Sequence, residues 1–147
     1  MQTSRCGIFL LTLLKQVGKP YVYGAEVLLD NPNPPAFDCS ELIQWALAQA
    51  GVTHVCDLPI KRFDGAGNQF LNSRTVPISV AREHLGALLF IQDKEAYATK
   101  PARIGHVGAV IAPGYVVEAR GKNYGVVITP ITERWNLASK IPELYEE

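Results

Sequence analysis

The residues best suited to chemistry in this sequence surround Cys39, in the run Asp38-Cys39-Ser40-Glu41. An Asp followed three residues later by a Glu is typical of a helix N-terminus, because both carboxylates accept hydrogen bonds from N–H groups there. Cys39 is thereby placed at the first position of a helix, where those groups and the helix dipole favour an anion. We therefore expect a thiol that ionises more readily than a free cysteine. The plainer interpretation is a small cysteine that packs in the core.

A histidine suited to act as a base follows later in the chain. His106 lies between Gly105 and Gly108 at the start of a strand-like stretch, and glycines on both sides let other groups approach its ring. An imidazole beside a thiol takes its proton and later returns it to a leaving group. Together, Cys39 and His106 predict nucleophilic catalysis.

A carboxylate, Glu118, is expected on the same face of the sheet as His106. The turn at Pro113 and Gly114 folds the two strand-like runs around it into a hairpin. With the midpoint near residue 112, His106 and Glu118 become direct cross-strand neighbours. A carboxylate beside an imidazole fixes its tautomer and stabilises its protonated form. The alternative for Glu118 is a solvated strand residue.

Two helices precede these strands. Apolar residues at helical spacing predict one helix over residues 3–17, buried on most of its surface, and a central helix over residues 39–50. Gly51 supplies the C-terminal stop of the second helix. Residues 64–71 permit a further short helix.

Four strand-like runs complete the chain, at residues 87–91, 106–111, 115–119 and 125–129. The connectors between them are short, which implies an antiparallel meander. Helices first and strands afterwards are typical of the α+β class. We therefore predict an α+β fold in a single domain over residues 1–147, with N-terminal helices packed on a central antiparallel sheet.

Composition narrows the range of partners. The 14 Lys and Arg residues balance 14 Asp and Glu residues, and no basic run occurs, which argues against nucleic acid or an anionic lipid surface as partner. The apolar stretch near the N-terminus is too short to insert across a membrane. Three cysteines without C-x-x-C spacing suggest neither a disulfide framework nor a zinc ribbon. We expect no metal and no cofactor.

Four fragments of the sequence occur in a familiar order: GKPYVYG at 18–24, FDCSELIQWA at 37–46, LGALLF at 85–90 and GHVGAV at 105–110. With these fragments the chain, from about residue 17 to 130, resembles the NlpC family of papain-like cell-wall cysteine peptidases. The resemblance implies a papain-like core. It also implies hydrolysis of amide bonds in bacterial peptidoglycan stem peptides, most often between the γ-carboxyl of D-glutamate and a diamino acid such as meso-diaminopimelate.

The resemblance also assigns roles to individual residues. Cys39 becomes the nucleophile that forms a thioester acyl-enzyme, His106 the general base and later acid, and Glu118 the polar residue that orients His106. The third residue of the family is usually His, so Glu118 is an uncommon occupant of that position. Tyr21 matches a family tyrosine near the nucleophile.

Further residues are expected to position the substrate. Asp38 and Ser40 flank the nucleophile, and the main-chain N–H of Cys39 is expected to help hold the oxyanion. Arg120, in the turn after Glu118, is a candidate for binding the free carboxylates of the substrate, although such turns are more often simply solvated. The Pro-rich loop at residues 25–37 is expected to form one rim of the substrate groove.

Other functions stay open on the sequence alone. The same three residues support a papain-like amidase, transpeptidase or acyltransferase acting on another substrate. A catalytically inactive cell-wall-binding module is a further alternative. The presence of both Cys39 and His106 argues against that module, because a pure binder needs neither a thiol nor an imidazole in those places.

The N-terminal residues bear on where the protein acts. Arg5 and the apolar stretch after it resemble a signal peptide only superficially, because the stretch runs into Lys15 without a small-residue cleavage site. We therefore expect synthesis in the cytoplasm and delivery to the cell wall by another route. A phage lysin, a tail-associated peptidase and an effector delivered by a secretion system fit this expectation, and a monomer is favoured.

Overall fold

The structure is a computed structural model that describes residues 4–25, 27–52 and 65–146. Its helices are α1 (Arg5–Leu14), α2 (Cys39–Gln49), α3 (Ala66–Leu71) and α4 (Ile78–Ala81). Its strands are β1 (Arg74–Thr75), β2 (Leu88–Gln92), β3 (Ile104–Ala112), β4 (Tyr115–Ala119), β5 (Val126–Pro130) and β6 (Leu137–Lys140). Short 3-10 helices cover Pro101–Arg103 and Pro142–Tyr145. The predicted helix at 64–71 corresponds to α3, which begins at Ala66. Residue 64 lies outside the described residues.

The central helix α2 begins and ends where the sequence predicts. The Asp38 carboxylate caps it by accepting a hydrogen bond of 2.8 Å from the main-chain N–H of Glu41. Gly51 follows its C-terminus with a φ of 84°, a conformation that costs glycine little. The helix is buried continuously from Leu42 to Leu47 and packs between α1 and β3. Its buried position fixes its N-terminal residue, Cys39, against the sheet.

Helix α1 is shorter and more exposed than predicted. It spans Arg5–Leu14, and only Phe9 and Leu13 are buried within it, whereas Leu11 is 54% exposed. Phe9 and Leu13 are one turn apart and form a single stripe. The prediction of a helix buried on most of its surface is wrong, because the helix packs at the edge of the molecule, against α2 and the C-terminal 3-10 helix.

The sheet of the described residues has six strands in the order β1-β6-β2-β3-β4-β5, and every pairing is antiparallel. Strands β2 to β5 form the predicted meander, and the α+β class is confirmed. The edge formed by β6 and β1 was not predicted. One face of the sheet packs on α1 and α2, and the other face buries a second cluster that contains Leu89, Val116 and Trp135.

The β3–β4 hairpin has a register two residues away from the predicted one. Ala109 pairs with Val117, and a bulge separates these pairs from the turn, so continuing the ladder places Glu118 opposite Gly108 rather than His106. The two-residue turn at residues 113–114 moves the centre of the hairpin one position along the chain. A two-residue shift preserves the face on which each side chain lies, so His106 and Glu118 become diagonal neighbours.

Candidate active site

A cleft of about 230 Å³ opens at the N-terminus of α2. Its walls come from the segment after Pro20, the start of α2, the start of α3 and the turn that leads into β3. Cys39 lies in this cleft together with Tyr21, Asp38, Ser40 and Lys100. The cleft therefore collects three of the sequence-predicted positioning residues around the predicted nucleophile.

The Cys39 thiol lies against the main chain on both sides of His106. Its Sγ is 3.9 Å from the carbonyl oxygen of Gly105, and the N–H groups of Val107 and Ser40 donate hydrogen bonds to the sulfur. The residue is 9% exposed. The buried helix α2 thus delivers the sulfur to the strand that carries the predicted base.

The acidity of Cys39 differs from the sequence prediction. Burial raises the pKa of the Cys39 thiol to about 11, and the negative charge of Asp38 acts in the same direction. The hydrogen bonds from Val107 and Ser40, and the charge of Lys100, oppose these effects but do not outweigh them. The predicted lowering of the pKa is therefore wrong. At neutral pH the Cys39 thiol therefore keeps its proton unless a base removes it.

The His106 ring is held from its edge and from one face. Its Nε2 is 2.8 Å from Oε1 of Glu118, and the ring stacks on Trp135 with centroids 5.3 Å apart and planes inclined by 24°. Because a carboxylate accepts a hydrogen bond from Nε2–H, the neutral ring carries its lone pair on Nδ1. Nδ1 is the atom available to take a proton.

Glu118 is fully buried and engages three side chains. Oε1 accepts from His106, while Oε2 accepts from Arg134 and, at 2.5 Å, from the hydroxyl of Thr129. Burial raises the pKa of Glu118, but the hydrogen bonds from His106, Arg134 and Thr129 together outweigh it and lower the pKa to about 2. The solvated alternative for Glu118 is wrong, and the residue is a buried, ionised partner of His106.

Three residues of this network were not predicted from the sequence. Thr129 lies on β5 and Arg134 and Trp135 lie in the loop between β5 and β6. The guanidinium of Arg134 lies 4.5 Å above the Trp135 ring. A buried carboxylate requires a compensating cation, so a basic residue was to be expected near Glu118. Which basic residue supplies it depends on the path of the loop, for which the local sequence gives no signal.

The predicted positioning residues have specific contacts. A parallel β-bridge between Tyr21 and Phe37 holds Tyr21 beside the cleft. Burial, followed by the charges of Cys39 and Asp38, raises the pKa of Tyr21 to about 12, so its hydroxyl keeps its proton and can donate. The Ser40 hydroxyl is 3.3 Å from Oδ1 of Asp38, the same oxygen that caps α2.

Arg120 lies outside the cleft. Its side chain is exposed and stacks over Tyr124 at 4.5 Å, and it is not among the described residues that line the cleft. Its binding role stays a prediction. Among the described residues that line the cleft, Lys100 carries the basic side chain, and it was not predicted from the sequence. Its turn packs closely on α3, because a Cβ at Gly67 would overlap the carbonyl oxygen of Pro101.

The Pro-rich loop is fastened along α2. Trp45 Nε1 donates to the carbonyl of Asn31 at 2.7 Å, and Gln49 Nε2 donates to the carbonyl of Leu29 at 2.7 Å. Tyr23 and Gly24, which precede the loop, line the cleft, and none of the described residues at 25–37 does so. The hydrogen bonds direct this part of the loop along the helix, and its role as a rim of the substrate groove stays a prediction.

Two further findings concern the described residues. In residues 4–25, 27–52 and 65–146, no group of three or more His, Cys, Asp or Glu side chains is arranged to hold a metal ion. In the same ranges, no helix has the length and apolar character needed to cross a bilayer. Cys56 lies outside them.

Comparisons with known proteins identify the fold. A scan against models of protein families finds no match, and neither does a search of curated proteins. Among solved structures, the peptidoglycan hydrolase RipB from Mycobacterium tuberculosis matches with a TM-score of 0.69 and 24% identity, over 93% of this chain and 64% of that one. The chain thus spans less than two thirds of that protein.

Two domain structures match over nearly their whole length. The P60 domain of an antigen from M. avium subspecies paratuberculosis has a TM-score of 0.69 and 23% identity, over 93% of this chain and 94% of that one. The NlpC/p60 domain of the peptidoglycan hydrolase SagA has a TM-score of 0.66 and 18% identity, over 92% and 98%. The resemblance seen in the sequence motifs is confirmed at the level of the fold, and the chain has the papain-like fold of NlpC/P60 domains.

Proposed function

We propose that this protein is a cysteine peptidase that hydrolyses amide bonds in peptidoglycan stem peptides, with the bond between D-γ-glutamate and meso-diaminopimelate as its target. The observation that carries the proposal is the placement of Cys39, whose sulfur lies in a cleft against the main chain flanking His106. Support also comes from the NlpC/P60 fold, which the chain shares with peptidoglycan hydrolases.

The first step is activation of the thiol. Nδ1 of His106 takes the proton from Sγ of Cys39, and the sulfur attacks the carbonyl carbon of the scissile amide as the π electrons move to the oxygen. The raised pKa of Cys39 makes this base necessary. The ionised carboxylate of Glu118 stabilises the imidazolium that forms, because its negative charge lies 2.8 Å from Nε2.

The start of α2 supplies groups for the oxyanion. The first N–H groups of a helix have no partner within it, and they point along the axis towards the cleft. The main-chain N–H of Cys39 is the donor that stabilises the negative oxygen of the tetrahedral intermediate. The Asp38 carboxylate serves the helix end at the N–H of Glu41, three residues further on.

Collapse of the intermediate completes acyl transfer. The His106 imidazolium gives its proton to the leaving amine, the C–N bond breaks and a thioester on Cys39 remains. Water then attacks the thioester carbonyl while His106 takes one of its protons, and the returned proton restores the thiol as the acid leaves. The chain's own residues supply every proton transfer in this sequence.

The charge of the cleft is consistent with an anionic substrate. Lys100 lies in the cleft, and its positive charge acts on the Cys39 sulfur. Stem peptides carry free carboxylates beside the proposed scissile bond, and an ammonium group attracts them. Lys100 is therefore proposed to bind a free carboxylate of the substrate.

The proposal is tested with peptide fragments of diaminopimelate-type peptidoglycan. Wild type and Cys39→Ala are incubated with the fragments, and the products are identified by mass spectrometry. We expect wild type to release L-Ala-D-Glu and Cys39→Ala to leave the fragments intact. Cys6→Ala is the matched control, because Cys6 is a second free cysteine that packs at the Leu85 carbonyl, away from the cleft. Intact fragments with all three proteins would refute the peptidase proposal for this substrate.

The same experiment separates the alternatives. Addition of a free amine acceptor would yield a transpeptidation product if acyl transfer to amines competes with hydrolysis. An amidase would release a product cut at a different bond. Retention of intact fragments on the protein, equally by wild type and Cys39→Ala, would favour a binding module.

A further inference from the structure

The two oxygens of the Glu118 carboxylate have separate partners. Oε1 faces Nε2 of His106, whereas Oε2 accepts from Thr129 and Arg134. A carboxylate without the second set of partners could rotate or share both oxygens with the imidazole. The partners on Oε2 therefore decide how Oε1 is directed at the ring.

We propose that Arg134 is a positioning residue for His106, acting through the buried carboxylate of Glu118. The guanidinium fixes the carboxylate plane, and its positive charge compensates the negative charge that the imidazole would otherwise face alone. This inference rests on the proposed function in so far as it treats His106 as the base of the reaction.

The loop that carries Arg134 contacts His106 in a second way. Its next residue, Trp135, is 3% exposed and stacks on the His106 ring, and the Arg134 guanidinium lies 4.5 Å from the centre of the Trp135 ring. Arg134 thus acts on the imidazole through the Glu118 carboxylate, and Trp135 holds the face of the same ring. A planar guanidinium can contact the carboxylate and the Trp135 ring at once, since it donates in its plane and stacks through its face.

The loop itself is well anchored. The N–H of Ile131 donates to the carbonyl of Gly114, and the N–H of Asn136 donates to the carbonyl of Phe90. The side-chain amide of Asn136 pairs with the main chain of Gln92 through two hydrogen bonds of 2.8 Å. Both ends of the loop are therefore tied to the sheet, and Arg134 is held at a defined place beside Glu118.

The charges around the imidazole set the direction in which removing Arg134 should change proton binding by His106. Glu118 faces the ring from β4, and Cys39 approaches the strand of the ring from α2. The charges of Asp38 and Lys100 act on the thiol, and the thiol in turn acts on Tyr21. Arg134 is the cation in contact with Glu118. Its removal would leave the carboxylate partly uncompensated, so the imidazole would hold its proton more tightly and titrate at higher pH.

The test follows the titration of His106 directly, by NMR of its imidazole protons as a function of pH. We expect Arg134→Gln to move the midpoint upwards by about one pH unit. Arg134→Lys, which keeps the charge, should leave the midpoint close to that of wild type. Arg82→Gln is the matched control, because Arg82 is an exposed cation that pairs with its neighbour Glu83 at 3.9 Å.

A second background tests whether Arg134 acts through Glu118. In Glu118→Gln the carboxylate charge is absent, so adding Arg134→Gln should produce little further change in the midpoint. A midpoint that is unchanged by Arg134→Gln in the wild-type background would overturn the proposal. For Arg134→Gln, which removes the charge, loss of activity without a change in the pH profile would also overturn it, since that result indicates a purely structural role.

The outcome is separable from that of the proposed function. The NMR titration needs no substrate, so it decides the role of Arg134 even if the peptide fragments are not cleaved. If Arg134→Gln fails to fold, Arg134→Lys carries the test through its turnover of the L-Ala-γ-D-Glu-meso-diaminopimelate peptide. We expect a several-fold loss of kcat with KM unchanged, because an ammonium lacks the planar fork. A wild-type kcat would refute the positioning role.

Discussion

The candidate site contains two buried acids, Cys39 and Glu118, and their environments shift the pKa values of the two groups in opposite directions. Burial raises the pKa of both Cys39 and Glu118. For Cys39 the adjacent Asp38 adds to that effect, and the pKa reaches about 11. For Glu118 the hydrogen bonds from His106, Arg134 and Thr129 reverse it, and the pKa falls to about 2.

The difference shows that burial alone does not determine the charge state of a group: burial prevails at Cys39, whereas hydrogen bonds outweigh it at Glu118. The Cys39 sulfur receives two main-chain N–H groups, and the charge of Lys100 acts on it. The Glu118 carboxylate receives a guanidinium, an imidazole and a hydroxyl. Cys39 therefore keeps its proton until a base removes it, and Glu118 supplies the permanent negative charge that stabilises the protonated base, His106.

The largest expected effect comes from replacing the sulfur. Cys39→Ser keeps the position on α2 but substitutes a hydroxyl that ionises far less readily than a thiol, so His106 cannot generate the nucleophile at a useful rate. We expect kcat/KM on the stem peptide to fall by about 10⁴-fold or more. Product release is followed by mass spectrometry, with Cys6→Ser as control. Activity within tenfold of wild type would exclude Cys39 as nucleophile.

The next effect tests the permanent charge of Glu118. Glu118→Gln keeps the shape of the side chain but removes the charge that stabilises the His106 imidazolium. We expect kcat to fall by about 10²-fold with little change in KM, because the lost interaction strengthens only as the imidazolium forms. Steady-state kinetics on the same peptide provide the measurement. A fall in affinity with unchanged kcat would instead place Glu118 in substrate binding.

The position of Cys39 at the start of α2 was predictable from the sequence because its signals are local. The capping residue, the nucleophile and the first turn of α2 lie within four consecutive residues, and Gly51 marks the other end of the helix. The thiol pKa was not predictable, because burial depends on what packs around the helix start. The exposed face of α1 was misjudged for the same reason, since apolar residue type does not distinguish the core from the surface.

The surroundings of His106 depend on contacts between distant parts of the chain. His106 and Glu118 were predicted as partners, and their shared face survived an error of two residues in the register. Arg134 and Trp135 enter from a loop whose path depends on β6, a short strand without a clear alternating pattern. The residues that tune the base were therefore beyond reach of local reasoning.

The two acids are expected to control opposite ends of the pH–stability curve. Glu118 has a folded-state pKa lowered from 4.5 to about 2, so its contribution is complete above pH 4.5 and is lost as the pH falls towards 2. The contribution is on the order of 3 kcal/mol. Denaturant unfolding at pH 7 and pH 3 measures it, and Glu118→Gln should flatten the difference. An equally steep acid loss in that variant would contradict the assignment.

At the alkaline end the sign reverses. Cys39 has a folded-state pKa raised from 9.0 to about 11, so its contribution is complete below pH 9 and is lost as the pH rises towards 11. The loss is on the order of 2 to 3 kcal/mol. We expect Cys39→Ala to unfold with a smaller difference between pH 8 and pH 10.5 than wild type. If the two proteins lose stability in parallel, burial does not destabilise the Cys39 thiolate to this extent.

The smallest effect separates two basic residues that bear differently on the substrate. Lys100 lines the cleft, whereas Arg120, the residue proposed from sequence, stacks on exposed Tyr124 outside it. Lys100→Met should raise KM for the stem peptide about tenfold with kcat nearly unchanged, because an ion pair to a free carboxylate acts equally in the ground and transition states. Arg120→Gln should change KM less than Lys100→Met does. A peptide amidated at the D-glutamate carboxylate should lose the Lys100 dependence if that carboxylate is the partner. If Arg120→Gln has the larger effect, the substrate extends over the turn after β4, and the cleft at Cys39 holds only part of it.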